Sequence, residues 1–159
     1  MNTELAANDN LSRDLDAIFT MQKILEDTKE YVEMPLRHFF APGVCLREIT
    51  MPAGSFVVGK MHKTTHLNII TKGDVSVMGA DGVPIRYTVG DHPIVFVSYA
   101  GVKKVLYNHE DTVWMVPHVT DETDIDKLEA EVIIPDNLLR DDSGQASIGF
   151  EELQRLLGV

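Results

Sequence analysis

One cysteine in 159 residues, Cys45, excludes an intramolecular disulfide. That scarcity suits a reducing cytoplasm, where thiols stay free. Cys45 lies in an apolar run and is expected to be a small buried residue. Long hydrophobic runs are also missing: no apolar stretch approaches the ~20 residues of a membrane span. The opening MNTELAANDNLSRDLD is polar and acidic, whereas a secretory signal is basic and then apolar. These absences point to a cytoplasmic chain with no membrane partner. Basic residues are few as well, with 14 Lys and Arg against 25 Asp and Glu and a net charge of −11. A nucleic-acid polymer is held through a basic face that neutralises phosphates, so that class of partner is excluded.

The acidity is uneven. Residues 1–42 carry a net −4, 43–119 a net +1 and 120–159 a net −8. The middle is therefore a near-neutral body between acidic ends, able to hold a local positive pocket for a small anion. Its texture is short β-prone runs at 44–51, 55–61, 66–71, 74–78, 84–88, 93–98, 102–107 and 112–119, separated by turn signals such as Pro52-Ala53-Gly54, Lys72-Gly73, Ala80-Asp81-Gly82 and Ala100-Gly101. Eight such strands are enough to close a small barrel around a pocket. The chain is thus expected to be one all-β domain in three parts: a helical N-terminal arm (1–42), a barrel (43–119) and an acidic helical tail (120–159). In the arm, Ser12 is an N-cap candidate for an amphipathic helix over 12–27 carrying Leu15, Ile18, Phe19 and Leu25, and 28–42 is an arm laid on the barrel or on another subunit. In the tail, Thr123 caps a helix containing Ile125, Leu128 and Val132, and Phe150, Leu153, Leu156 and Leu157 stripe a last helix that must dock on the barrel or a partner.

Histidine supplies the chemistry. Residues two apart on a strand share a face, so His62, Thr64, His66 and Asn68 are expected to project together, with Leu67 and Ile69 packed behind them. Lys104, Leu106 and Asn108 share a face by the same rule. Trp114, Val116 and His118 alternate on the last strand, with Trp114 expected in the core. His38 and His92, beside aromatics or proline, read as structural, and Lys72 as solvated.

The run Gly59-Lys-Met-His62-Lys-Thr-Thr-His66-Leu-Asn-Ile-Ile-Thr-Lys-Gly73 resembles the first motif of the cupins, in which two histidines and a glutamate precede a glycine turn. The run from Gly90-Asp91 through Ala100-Gly101 to Lys104 and Asn108 resembles the second. The resemblance implies a double-stranded β-helix barrel with peripheral helices. It sets His66 at the family's glutamate position, His62 at its second histidine, and Lys60 and Lys104 where its first and last histidines stand. Two ammonium groups thus occupy positions that resemble metal ligands and oppose a bound cation. The pattern also resembles small cupin-like proteins of bacteriophages.

The leading expectation is a metal-free pocket for a small anion, plausibly a signalling nucleotide, that is bound or cleaved by acid–base chemistry. His62, His66 and Lys104 are its candidate catalytic groups, as metal-independent phosphodiester hydrolysis requires. Lys60, Thr64, Asn68, Arg86, Asn108 and His109 are its candidate ligand-binding groups. The alternatives are a metal-dependent cupin oxygenase or isomerase, in which His62 and His66 hold a divalent transition metal with a third ligand, His109 first or else His92 or His118, and a non-catalytic scaffold. A homo-oligomer, plausibly a dimer, is expected from the apolar stripe of the first helix.

Overall fold

Period-two alternation from Val44 to Val119 gives strands, and turn residues at near-regular intervals fold them back on one another. The computed structural model describes residues 3–79 and 82–158. In chain order these form helix α1 (Thr3–Thr28), strands β1 (Leu36–Ala41), β2 (Val44–Met51), β3 (Phe56–Val58), β4 (Met61–His62), β5 (His66–Lys72), β6 (Asp74–Met78), β7 (Pro84–Thr88), β8 (Ile94–Ser98), β9 (Val105–Asn108) and β10 (Thr112–Val119), then helix α2 (Ile125–Val132), strand β11 (Ile133–Ile134), a 3₁₀ turn (Asp136–Leu138) and helix α3 (Phe150–Leu157). Of the Ala80-Asp81-Gly82 turn, Ala80 and Asp81 lie outside the described residues.

Every strand pair is antiparallel. One sheet runs β1-β2-β10-β5-β8 and the other β3-β9-β6-β7. Leaving out β1 and the short β4–β11 pair, the chain crosses between the two sheets at every step except the β6–β7 hairpin, which is the jelly-roll order and the double-stranded β-helix that the sequence predicts. The turn glycines of the cupin-like motifs have backbone reasons to be glycine. Gly73 sits at φ 114 between β5 and β6, and a Cβ there would collide with Thr112 and the Asp111 carbonyl. Gly101 at φ 80 turns the chain toward β9.

Three apolar clusters hold the molecule. Met51, Ile70, Val75, Val77, Leu106 and Trp114 fill the space between the sheets. Cys45, buried as expected, packs with Leu128, Val132 and Ile133, which seats α2 on the barrel. Leu15 and Phe19 of α1 join Met61, Ile134, Leu139, Ile148 and Leu153. At ~1.5–3 kcal/mol per fully buried large apolar side chain, this last cluster fixes both chain ends to the barrel. The stripe on α3 therefore meets α1 of its own chain rather than floating.

Several local expectations are corrected. Helix α1 begins at Thr3, so Ser12 lies within it and is not its N-cap. Asp124, not Thr123, caps α2 by accepting from the Lys127 amide at 3.1 Å. Leu36–Ala41, read as an arm, is an edge strand on β2. Leu67 does not pack behind the histidines: it is 45% exposed on the outer face of β5. No described helix is long and apolar enough to cross a membrane.

Candidate functional site

Between the two sheets, toward the end where β4 and β11 pair, the barrel encloses a cavity of about 260 Å³. Strand parity explains its lining. Inward-facing Arg47, Ile49 and Met51 come from β2, His66 and Asn68 from β5, Leu106 from β9 with Lys104 just before it, and Trp114, Val116 and His118 from β10. Register puts Ile49 opposite Trp114 and Arg47 opposite Val116, so the two strands build one wall. Val57, Lys60 and His62 close the side formed by β3 and β4.

Asn68 is buried and bonded at both ends of its amide. Its amide donates to Ser98 Oγ at 2.7 Å and its carbonyl accepts from Trp114 Nε1 at 3.1 Å. It lines the cavity and positions the indole.

Three imidazoles meet at one end of the cavity. The ring centroids of His62 and His66 are 4.2 Å apart, those of His62 and His118 5.6 Å, and those of His66 and His118 6.4 Å. The His66 Nδ1 lies 2.9 Å from the Thr64 carbonyl. A carbonyl only accepts, so Nδ1 carries the hydrogen and Nε2 keeps a lone pair. His62 Nδ1 and His118 Nε2 are buried with no hydrogen-bond partner among the described residues. Burial, then the neighbouring His66, His118, Lys104 and Arg47, push the His62 pKa down to about 3. Burial, then His66, Arg47 and His38, push that of His118 down to about 4. His66 is lowered too, chiefly by burial, with its bond to Thr64 working the other way. All three rings are neutral near pH 7.

The cations divide into two sets. Glu129 of α2 accepts from Lys60 Nζ at 2.7 Å and lies 3.7 Å from Arg47 Nη2, so one carboxylate serves both. Lys104 has no counter-charge and no hydrogen bond to its ammonium among the described residues, and burial lowers its pKa to about 8. No Asp or Glu is among the residues lining the cavity. A chain of net charge −11 thus encloses a pocket of positive sign.

The structure brings together Lys60, His62, His66, Asn68 and Lys104 of the predicted site residues, and it corrects the others. Thr64 falls between β4 and β5, where strand alternation lapses, and lines an adjoining groove with Leu67, Val97 and Val119 that shares His66 and His118 with the cavity. Asn108 is buried with its amide on Ser55, holding the turn before β3. His109 is outside the cavity and bonds Ser76 Oγ at 2.8 Å, so it cannot complete a ligand set with His62 and His66. Arg86 forks onto Asp74 at 2.8 and 2.7 Å and is likewise outside the lining. The sequence reading missed Arg47 and gave His118 only a secondary place. The period-two rule that puts Trp114 inside puts His118 inside as well.

Lys60 and Lys104 stand where the cupin-like motifs call for metal-binding histidines, no Asp or Glu is among the described residues lining the cavity, and the rings of His62, His66 and His118, though they meet, are not disposed as the ligand set of an ion. The residues present do not fit the metal centre that the resemblance implies.

No family model matches the sequence, and no curated protein is significantly similar to it. Solved structures are similar at low identity. A cupin family protein with a double-stranded β-helix fold from Methanocaldococcus jannaschii shares 17% identity at a TM-score of 0.45, over 57% of this chain and 84% of that one. The cupin domain of a Schizosaccharomyces pombe protein shares 20% at 0.44, over 62% of this chain and 75% of that one. Salicylate 1,2-dioxygenase from Pseudoaminobacter salicylatoxidans shares 13% at 0.48, over 74% of this chain and 35% of that one. The jelly-roll strand order stands on the topology described above and is the architecture that cupins share.

Proposed function

We propose that the barrel binds a small organic anion with an apolar body, its charged end on Lys104 and Arg47 and its body against Ile49, Met51, Leu106, Trp114 and Val116. The observation that carries this reading is the unneutralised ammonium of Lys104 in a cavity whose lining is otherwise largely apolar and holds no carboxylate. A ligand anion supplies the missing counter-charge in a low-dielectric site, where ion pairing is stronger than in water. The neutral imidazoles supply lone pairs and N–H groups that orient the ligand's polar atoms. They are poorly suited to phosphodiester cleavage, which needs one imidazolium as acid, because burial and mutual repulsion keep His62 and His118 unprotonated. Binding is therefore favoured over nucleotide hydrolysis.

Trp114 is the sole tryptophan and lines the cavity, so its fluorescence reports occupancy. Titration with phenylacetate is expected to change that emission at lower concentration than titration with the neutral phenylacetamide. Lys104→Met is expected to weaken phenylacetate by about 10- to 100-fold, the range of a charge-assisted bond, and to leave the amide unaffected. Equal affinity for acid and amide, or an acid affinity unmoved in Lys104→Met, would remove the anion-pocket reading.

A further inference from the structure

We propose that Lys104 is an imine-forming lysine and that the pocket takes anions carrying a reactive carbonyl, the α-keto acids and aldehyde acids, as covalent ligands. The inference rests on the anion-pocket reading and names its chemical class. Five features of the site support it.

Among the described residues Lys104 Nζ has no acceptor and no carboxylate to hold it as an ammonium, unlike Lys60 on Glu129 or Lys103 on Asp136. Its backbone is held at the cavity wall, because its own carbonyl accepts the Gly59 amide at 2.8 Å and the residues on either side of it, Lys103 and Val105, are buried. The titratable groups that line the cavity with it are the cations Arg47 and Lys60, both beside Glu129, and the neutral rings of His62, His66 and His118, none of which favours a protonated amine. With the pKa drawn down to about 8, the nucleophilic free-base fraction near neutral pH is on the order of a hundredfold above that of a solvated lysine. Finally, Arg47 in the same lining offers the planar fork that matches a carboxylate, leaving the adjacent carbonyl carbon for the amine.

The step balances within the pocket. The Nζ lone pair forms the C–N bond while the carbonyl π pair moves to oxygen. A proton shed by nitrogen passes by way of an imidazole lone pair to that oxygen, giving the carbinolamine. Transfer of the second nitrogen proton to the hydroxyl expels it as water and leaves the imine. No oxidant or metal is needed.

The test uses the full chain, phenylpyruvate as the carbonyl probe, phenyllactate as its hydroxy analogue, and sodium cyanoborohydride, whose hydride reduces an imine to a stable secondary amine. The expected result is one reduced phenylpyruvate adduct per chain, mapped to Lys104 by peptide mass spectrometry. It should be lost in Lys104→Arg, and phenyllactate binding by the wild-type protein, read by Trp114 emission, shows independently that the pocket takes the acid. Phenyllactate binding without an adduct on Lys104 would overturn the imine inference and leave the anion pocket standing. Adducts spread over surface lysines and unchanged in Lys104→Arg would also overturn it. Failure of the wild-type protein to bind either acid would remove both readings together.

Discussion

Between pH 6.5 and 5 the protein is expected to lose a large part of its stability, before its carboxylates begin to titrate. The cause is His62 and His118, whose folded pKa values are about 3 and about 4 against an ordinary 6.5. A base with a lowered folded pKa binds fewer protons folded than unfolded, so stability rises with pH across the interval between the two values. Their contribution is complete above about 6.5, declines as the pH falls below it, and is exhausted near pH 3 to 4. His66 acts in the same direction. At 1.36 kcal/mol per pKa unit the rings together contribute on the order of several kcal/mol, a substantial share of the ~5–15 kcal/mol that stabilises a typical domain. Urea unfolding at pH 7, 6 and 5 measures this directly. In His62→Gln/His118→Gln the dependence between pH 6.5 and 5 should be much flatter, whatever the absolute stability of the variant. An equally steep slope in that variant would show that the rings are not held neutral by burial. Saturating phenylacetate is expected to shallow the wild-type slope, since a bound anion favours protonated imidazoles.

What the sequence revealed follows from where strand alternation is continuous. On β5 from His66 to Ile70 and on β10 from Trp114 to His118 the parity holds, so His66 and Asn68 were placed correctly, and the same rule contained His118 once Trp114 was set inside. The rule fails where a strand breaks. The gap at 63–65 between β4 and β5 turns Thr64 out of phase with His62, although the two are only two residues apart. Asn108 keeps the parity of Lys104 and Leu106, yet its amide is already occupied by Ser55, a partner 53 residues away that no local pattern announces. Arg86 and His109 were drawn in by charge and type alone, and each has a partner on the adjacent strand β6, Asp74 and Ser76. The jelly roll was legible because its eight strands and its turn glycines are local signals. Strands β1 and β11 were not, because Leu36–Ala41 and Ile133–Ile134 are strands only through their long-range pairing.

Stability should fall most steeply on the loss of one partly exposed carboxylate. Lys103 is 1% exposed, and its ammonium donates to Asp136 Oδ1 at 2.8 Å and to the Gly59 carbonyl at 3.0 Å, with the Phe19 ring beneath it at 5.2 Å. Gln22 of α1 donates to the other oxygen of Asp136 at 2.9 Å, so the clamp joins α1, the 3₁₀ turn and the segment entering β9. Burial alone would raise the Asp136 carboxyl, but the bonds from Lys103 and Gln22 outweigh it and hold it below its ordinary value. Asp136→Ala strands the ammonium in the interior and is expected to cost about 3–5 kcal/mol. Lys103→Met should cost much less, because a thioether suits that apolar site and Asp136, 27% exposed, can turn to water. Lys103→Met/Asp136→Leu should lie close to the wild type. Burial already draws the Lys103 pKa down, and removing Asp136 draws it further. The Asp136→Ala deficit should therefore shrink as the pH rises toward 10, where the stranded lysine sheds its proton. Equal losses in the two single variants, or a deficit independent of pH, would mean that Lys103 is held by packing and not by its charge.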